Sequence, residues 1–537
     1  MGAVLVAGFL IPASGAATSK AERTLNLSLP GPFNGCTILD PGATPTTNAV
    51  LDLLRPSAFL TSPTGSLVGE GGAIASAELV SLKPETVVYT IAPDQFWSNG
   101  DQFDGVDLVA WWLKAKQLPS VQSDGYRDIK SLSESNDGLT ITATFSSDYA
   151  EWNLLFRDVE DVGTPLGCSW KDFLARPTLG PYGLVSASAH RIVLSTNKLW
   201  TLDPNRFQRV VITDSDVIPS SPSAYFVGYT LQVNSTTVEA ASMHPSVLSK
   251  IGTYSDVAEI AFAPGRPLTS SLLVREGLSW SLDRQALINQ LFGSVTFSVS
   301  VASSALYSQG QSAYPGGGGN GPSAQSTTTT VGTKSPSNAL ADCAECAQAA
   351  LKNAGYVLTS QGWRSASGVL LSIRVAVGPT PLDRAMASQI ETQWKAKGVA
   401  VRPFIVGSDE AAAEATAGNY ADAAIFTRPT TTTASYTARS WSGPAYPDAY
   451  SSGVESKVFN KLFKAGVQNF NPVSASVTWL DLDQDVMTGF WVRPLFTTPS
   501  LAEWSNSITT VSASISIPGL VDQEVSWLTT SQTPEGS

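Results

Sequence analysis

Histidine is almost absent from this chain: His190 and His244 are the only two among 537 residues. A Ser-His-Asp or Cys-His arrangement would have to use one of them. His244 precedes Pro245 and reads as a turn residue, and His190 opens the edge of an expected strand. Neither is accompanied by a G-x-S-x-G elbow or a papain-like cysteine context. Carboxylate pairs could be drawn among 45 Asp and Glu residues, but no spacing singles out two for glycoside chemistry. Neither histidine lies near a cysteine, so metal-ligand spacing is missing as well. The expectation is a protein that is not an enzyme and carries no cofactor or metal.

Basic residues are also scarce, 33 against 45 acidic ones, and the net charge of −12 argues against nucleic acid or an anionic membrane surface as partner. The run Gly316–Gly319 lacks the Lys-Ser/Thr that completes a phosphate loop, so nucleotide binding is not supported. Long apolar runs are missing too. The stretch AVLVAGFLI (Ala3–Ile11) is far short of the roughly 20 residues that cross a bilayer. With Pro12 and the small residues Ala13–Ala17 behind it, it fits the apolar region and cleavage site of a secretory signal, cut after Ala17. No Lys or Arg precedes Lys20, so a late start codon or a buried strand is the other reading of this segment. No cysteine follows the apolar run, and a lipid anchor is not expected. Residues 1–23 are read as a signal or N-terminal segment.

Cysteines number four, Cys36, Cys168, Cys343 and Cys346, an even count that suggests two disulfides in an exported chain. Of the three possible pairings, Cys36–Cys168 with Cys343–Cys346 is the expected one. The Cys343-x-x-Cys346 spacing also fits a redox motif, but it opens a helical pattern with no βαβ context around it, and the structural reading is preferred.

Against these absences stands a long chain rich in aromatic residues, 14 Trp, 14 Tyr and 20 Phe, enough to line a cleft as well as to fill cores. At this length two or three domains are expected. The most organised stretch is Val274–Gly293, VREGLSWSLDRQALINQLFG, whose apolar residues cover most of a helical circumference and whose polar residues Arg275, Glu276, Ser279, Asp283 and Gln290 gather on one sector. A helix with that pattern packs against other elements. Upstream, Thr24–Leu29 alternates as a strand and ends at Pro30-Gly31-Pro32, with Leu39-Asp40-Pro41 beyond it. Val87–Ile91 reads as a strand, Trp97–Gly100 as a turn and Val106–Lys116 as a helix, with Trp97 a core residue pinning the turn. The segment 137–159 reads as an alternating strand followed by a helix containing Trp152, Leu155 and Phe156. Tyr307–Asn338, rich in Gly, Ser, Thr and Pro, reads as a surface loop unable to bury apolar area. Ala339–Gly355 and Asp383–Lys397 read as helices, and Leu370–Val377 and Gly398–Ile405 as strands, an alternation that makes an α/β lobe.

Three separated stretches carry a resemblance. V-R-x-x-L-x-x-x-x-D-R at Val274–Arg284, the run from Thr86 through Trp97, Gly100, Phe103 and Asp107, and the run from Ala350 through Gly355-Tyr356, Gly362-Trp363-Arg364 and Trp394 to Val401 resemble, in order, the family 5 (peptide, oligopeptide and nickel type) extracytoplasmic solute-binding proteins of ABC transporters. Asp148–Phe156 is similar to actinobacterial members in particular. Gly180-Pro181-Tyr182 is a partial match to a G-T-G-P-Y motif, and Trp491–Phe496 resembles a return strand.

The resemblance implies an α/β, two-lobed periplasmic-binding-protein-like fold (type II, cluster C) with an additional N-terminal α+β subdomain. Lobe I would comprise 24–45, 175–262 and 490–537, the inserted subdomain 46–174 and lobe II 263–489, with crossings near 262 and 490. A monomer would capture a peptide or other small polar solute between lobes, outside the cytoplasmic membrane, and deliver it to an ABC permease; no nucleic acid is involved. The other reading is a non-transporting member that regulates cell-envelope assembly through protein contacts. Ligand-facing positions implied are Phe33, Asn34, Tyr182, Phe426, Thr427, Arg428, Trp441 and Asp448. The family's acidic anchor for a peptide α-amino group is missing from its expected place, where Phe426-Thr427-Arg428 stands. Arg428 favours an anionic ligand, or else pairs with an acid across the lobe. Asp448 is the one acid in the stretch 423–450.

Overall fold

A computed structural model describes residues 23–40, 44–61, 67–118, 123–164, 168–200, 207–214, 223, 225–231, 233–243, 245–293, 299–307, 314, 342–429, 433–441, 454, 456–508 and 511. Residues 1–22, nearly all of 307–338, Asp448 and His244 therefore lie outside the description, with the expectations that fall on them. Among the described residues no helix is long and apolar enough to cross a membrane.

Two unusually long strands, Val247–Phe262 and Val492–Ser505, form the spine of a ten-stranded sheet. Every visible residue of Val492–Ser505 except Trp504 is buried, because the strand has neighbours on both edges and cover on both faces. The first half of Val247–Phe262 pairs with Pro499–Ser505, and the second half with Val492–Thr497 and with Ala423–Pro429. The register slips between Thr253 and Val257, and the extra residues bend the pair at that point. On one side of the spine lie Phe226–Thr230, Thr24–Ser28, Arg209–Thr213, Arg191–Thr196 and Tyr182–Ser188. On the other lie Ala423–Pro429, Ser372–Val377 and Ala400–Ile405, which run parallel to one another. Helices Pro381–Ala396 and Asp409–Ala417 cover this second half. A separate four-stranded antiparallel sheet, ordered Ile74–Leu82, Glu85–Ile91, Thr140–Phe145 and Ile129–Glu134, packs on helix Gly105–Ala115 and makes the α+β subdomain.

The stretch 274–293 departs from the single helix its pattern suggested. It forms two helices, Leu272–Trp280 and Arg284–Phe292. Asp283 stops the first by capping the second, its carboxylate accepting from the Ala286 N–H at 2.8 Å. Of the polar sector, Arg275, Glu276 and Ser279 are buried, while Asp283 and Gln290 are exposed. Arg275 donates to the Gly489 carbonyl at 3.0 Å and lies 3.4 Å from the Trp491 ring centroid, so it ties the first helix to the start of the spine strand. Gly277 is required there, since a Cβ would come within 2.6 Å of Leu351 on the neighbouring helix Ala344–Asn353. The expected helix around Trp152 is likewise absent. Only a 3₁₀ turn, Trp152–Leu154, forms, and Phe156 and Asp158 take left-handed backbone angles of 56° and 49° that no continuous helix tolerates.

Disulfides join Cys36 to Cys168 and Cys343 to Cys346, with Cα atoms 5.6 and 5.2 Å apart. The first spans 132 residues and the second three, so they restrict the unfolded chain very differently. Replacing Cys36 and Cys168 by Ala is expected to cost about 2–4 kcal/mol in urea unfolding. The Cys343/Cys346 pair of substitutions should cost clearly less, and equal losses would refute the loop-length argument.

Glu503 is 2% exposed on the spine, and both its carboxylate oxygens lack a hydrogen-bond partner among the described residues. Burial pushes it from an ordinary 4.5 up to about 7. The folded state therefore binds more protons than the unfolded chain, and this stability is complete below about pH 4.5 and lost as pH rises through about 7. Glu503→Gln should match the wild type in thermal unfolding at about pH 4 or below and exceed it by about 2–3 kcal/mol at pH 8. A pH-independent difference would contradict this.

Candidate functional site

The ends of the parallel strands of the second half-sheet carry an ionisable cluster. Arg428, near the end of Ala423–Pro429, sits across the sheet from Glu259 on the spine. Its Nε donates to Glu259 Oε2 at 3.1 Å, and its Nη2 reaches the same oxygen at 3.0 Å and also donates to the Ala305 carbonyl. Both side chains are fully buried, and the Trp441 ring lies 5.1 Å from the guanidinium carbon. Burial pushes the Glu259 carboxyl up, with Arg428 pulling it back. Asp256, beside the register slip, is raised to about 7 by burial against the opposing pull of Arg428. Thr427 donates to Asp383 Oδ1 at 3.1 Å. Asp383 lies beside Asp409 at the start of the next helix, and burial with the repulsion of Asp383 pushes the Asp409 carboxyl up to about 9. Gly378 admits them, because a Cβ there would stand 2.0 Å from Asp409 Oδ1 and 2.6 Å from Asp383 Oδ2.

A second group of side chains lies where the α+β subdomain meets the helices Ala434–Trp441 and Lys457–Val467. Arg439 Nε donates to Asp124 Oδ2 at 2.6 Å, the Ser435 hydroxyl donates to Glu151, and the Ala150 N–H donates to the Val467 carbonyl at 2.7 Å. Tyr149 and Tyr436 are buried at this seam, interacting electrostatically with one another and with Glu151 and Asp124. Tyr307 approaches Glu151 from a third segment. Burial pushes Glu151 from 4.5 up to about 7. The subdomain is thus closed onto the second half-sheet by direct polar contacts.

Of the positions singled out from sequence, Thr427, Arg428 and Trp441 come together at the strand ends. Phe426 is buried among the alanines of Asp409–Ala417 and the neighbouring strands. Tyr182 is buried at the far edge of the sheet, its hydroxyl donating to the Phe207 carbonyl at 3.2 Å. Phe33 is buried in the same core, and Asn34 is exposed, its N–H donating to Thr47 Oγ1 at 2.9 Å. Sequence reasoning passed over Glu259, Asp256, Asp383 and all the seam residues. A weak signal existed for Tyr149 and Glu151, which lie inside the Asp148–Phe156 run. Among the described residues no three His, Cys, Asp or Glu side chains are arranged to hold a metal ion.

With this geometry in hand, known proteins can be compared. A family model described as bacterial extracellular solute-binding proteins, family 5 Middle, matches residues 71–452. The oligopeptide-binding protein OppA of Mycobacterium tuberculosis (strain ATCC 25618 / H37Rv) is 29% identical over 168 residues, a stretch that spans 28% of this chain and 28% of that protein. A structure of the periplasmic EDTA-binding protein EppA superposes with a TM-score of 0.79 at 17% identity, covering 97% of this chain and 99% of that one. The oligopeptide-binding protein AppA from Bacillus subtilis, in complex with a nonapeptide, gives 0.69 at 12% identity, covering 94% and 99%. At such identities these structures establish the two-lobed fold.

Proposed function

Because the chain belongs to the family 5 bacterial extracellular solute-binding proteins, we propose that it is the capture component of an ABC importer, holding a peptide or other small polar solute between two lobes. The observation that carries this reading is the spine. One strand pair, Val247–Phe262 with Val492–Ser505, runs through both half-sheets and slips register between Thr253 and Val257, opposite Thr497–Pro499. Few residues would need to change angle for one half to swing against the other. We place the crossing there rather than near 262 and 490, which the family resemblance implied. The division into lobe I (24–45, 175–262, 490–537), inserted subdomain (46–174) and lobe II (263–489) is otherwise kept. The seam at Arg439–Asp124 and Ser435–Glu151 is then the closed state of the cleft. Export through the N-terminal segment, action as a monomer outside the cytoplasmic membrane and delivery to an ABC permease complete the proposal.

A thermal-shift screen against pools of peptides, amino acids, sugars and metal chelates tests it. A solute that binds only the native state adds about 2.7 kcal/mol at a hundredfold excess over its dissociation constant, which moves the midpoint by several degrees. One responding pool supports capture and names the class. No response from a folded sample to any pool would overturn it.

A further inference from the structure

We propose that Glu151 is the anchor for an ammonium group of the captured solute, placed on the subdomain side of the cleft instead of on lobe II. The proposal rests on the solute-capture reading and adds the chemistry that the cleft selects.

Charge is unbalanced at the seam. Asp124, Asp128 and Glu151 all face it, and the cations there are committed elsewhere. Arg439 is held by Asp124, with Arg127 3.5 Å from the same carboxylate, and Arg157 forks onto Asp52 at 2.6–2.7 Å. Glu151 accepts a hydrogen bond from the Ser435 hydroxyl, and Asp124, a like charge, pushes its carboxyl further up. A carboxylate in such a place is costly to bury without a cationic partner.

The second observation is independent of the acids. Tyr149 is 3% exposed, and its hydroxyl has no hydrogen-bond partner among the described residues. That hydroxyl is coupled electrostatically to Tyr436, Glu151, Asp124 and Asp128. Tyr307 and Tyr436 approach Glu151 as well. The result is a half-buried carboxylate coupled electrostatically to three tyrosines, one of whose hydroxyls, that of Tyr149, is without a partner among the described residues. An ammonium, with three donors and one positive charge, is complementary to that set. The backbone crossing from Ala150 to Val467 fixes the carboxylate at the point where the lobes meet, so the cation would be enclosed on closure.

The test uses the full chain with tri-alanine, N-acetyl-tri-alanine, spermidine, Ni(L-His) and Fe(III)-EDTA as probes, followed by calorimetric titration. The expected result is that tri-alanine or spermidine binds, that N-acetylation abolishes tri-alanine binding if that is the responder, and that Glu151→Gln weakens the responding amine at least about 30-fold. Tyr149→Phe should weaken it about fivefold. Thermal midpoints of the unliganded variants show whether they fold, and Glu151→Gln retains an acceptor for Ser435. Equal binding of an amine to wild type and Glu151→Gln overturns the anchor while leaving solute capture intact. Binding of only the two chelates overturns the ammonium class and again leaves capture standing. Failure of every probe at millimolar concentration overturns the ammonium proposal, and failure of the wider pool screen as well overturns capture.

Discussion

Glu259→Ala should destabilise the protein by about 3–5 kcal/mol, because it leaves the Arg428 guanidinium charged and fully buried without the carboxylate that hydrogen-bonds it. The remaining contacts of Arg428 do not replace the lost charge. Its Nη2 keeps the Ala305 carbonyl and its face keeps Trp441, but Nη1 has no acceptor among the described residues. The pair as a whole is not expected to be a large net stabiliser, since burial raises the Glu259 carboxyl even with Arg428 against it. Replacing both partners at once, Glu259→Leu with Arg428→Met, should therefore recover most of the loss. Urea unfolding of the single and double variants checks this. A double variant as unstable as Glu259→Ala would show that the arginine's charge is not the source of the cost.

Asp342→Ala should cost a comparable 3–5 kcal/mol or somewhat more, since it strips one acid from between two arginines. Asp342 Oδ1 accepts from Arg284 Nε at 3.0 Å and from Arg493 Nη2 at 2.6 Å, while Oδ2 accepts the Arg284 N–H at 3.0 Å. Both guanidiniums are buried, and burial together with the nearby Arg284 charge pulls Arg493 down to about 9. Asp342 immediately precedes Cys343, so the short disulfide ring and helix Ala344–Asn353 begin at the residue that ties Arg284 to the spine strand. Removing Asp342 sets the buried Arg284 and Arg493 guanidiniums against each other without the acid between them. Asp342→Asn keeps acceptor geometry without charge and should lie between wild type and Asp342→Ala. If the three proteins unfold at the same denaturant concentration, the network does not hold the lobe.

The fold was largely legible because its motifs are local packing units. Trp97, Phe103 and Asp107 lie within ten residues, and their ring contact of 5.5 Å and the 3.2 Å bond from Trp97 Nε1 to Asp107 Oδ2 explain why they recur together. Arg275 and Arg284 are recognisable for the same reason, as each anchors its own helix to a neighbouring backbone. The site was much less legible. Glu151 and Ser435 are 284 positions apart, Arg439 and Asp124 315, and Arg428 and Glu259 169, and no periodicity reports a contact at such separations. Helical spacing also misled at 274–293, where a capping aspartate splits an apolar pattern that would otherwise run through, and at 152–156, where tertiary contacts hold left-handed residues. The stretch 423–450 left open whether Arg428 faces solute or pairs with an acid across the lobe, and only the neighbouring strand reveals Glu259 as that acid.

The most direct test of a hinged, two-lobed capture protein is the distance between the α+β subdomain and lobe II. Val106 and Val458 are exposed, 48% and 51%, on helices Gly105–Ala115 and Lys457–Val467 on the two sides of the seam. All four native cysteines are in disulfides, so spin labels on Val106→Cys and Val458→Cys report that distance by pulsed electron paramagnetic resonance. The expected result is a short and a long population, with Arg439→Ala shifting weight to the long one and a bound solute restoring the short one. A single distance, unchanged by Arg439→Ala and by every solute pool, would contradict hinge closure and the function built on it.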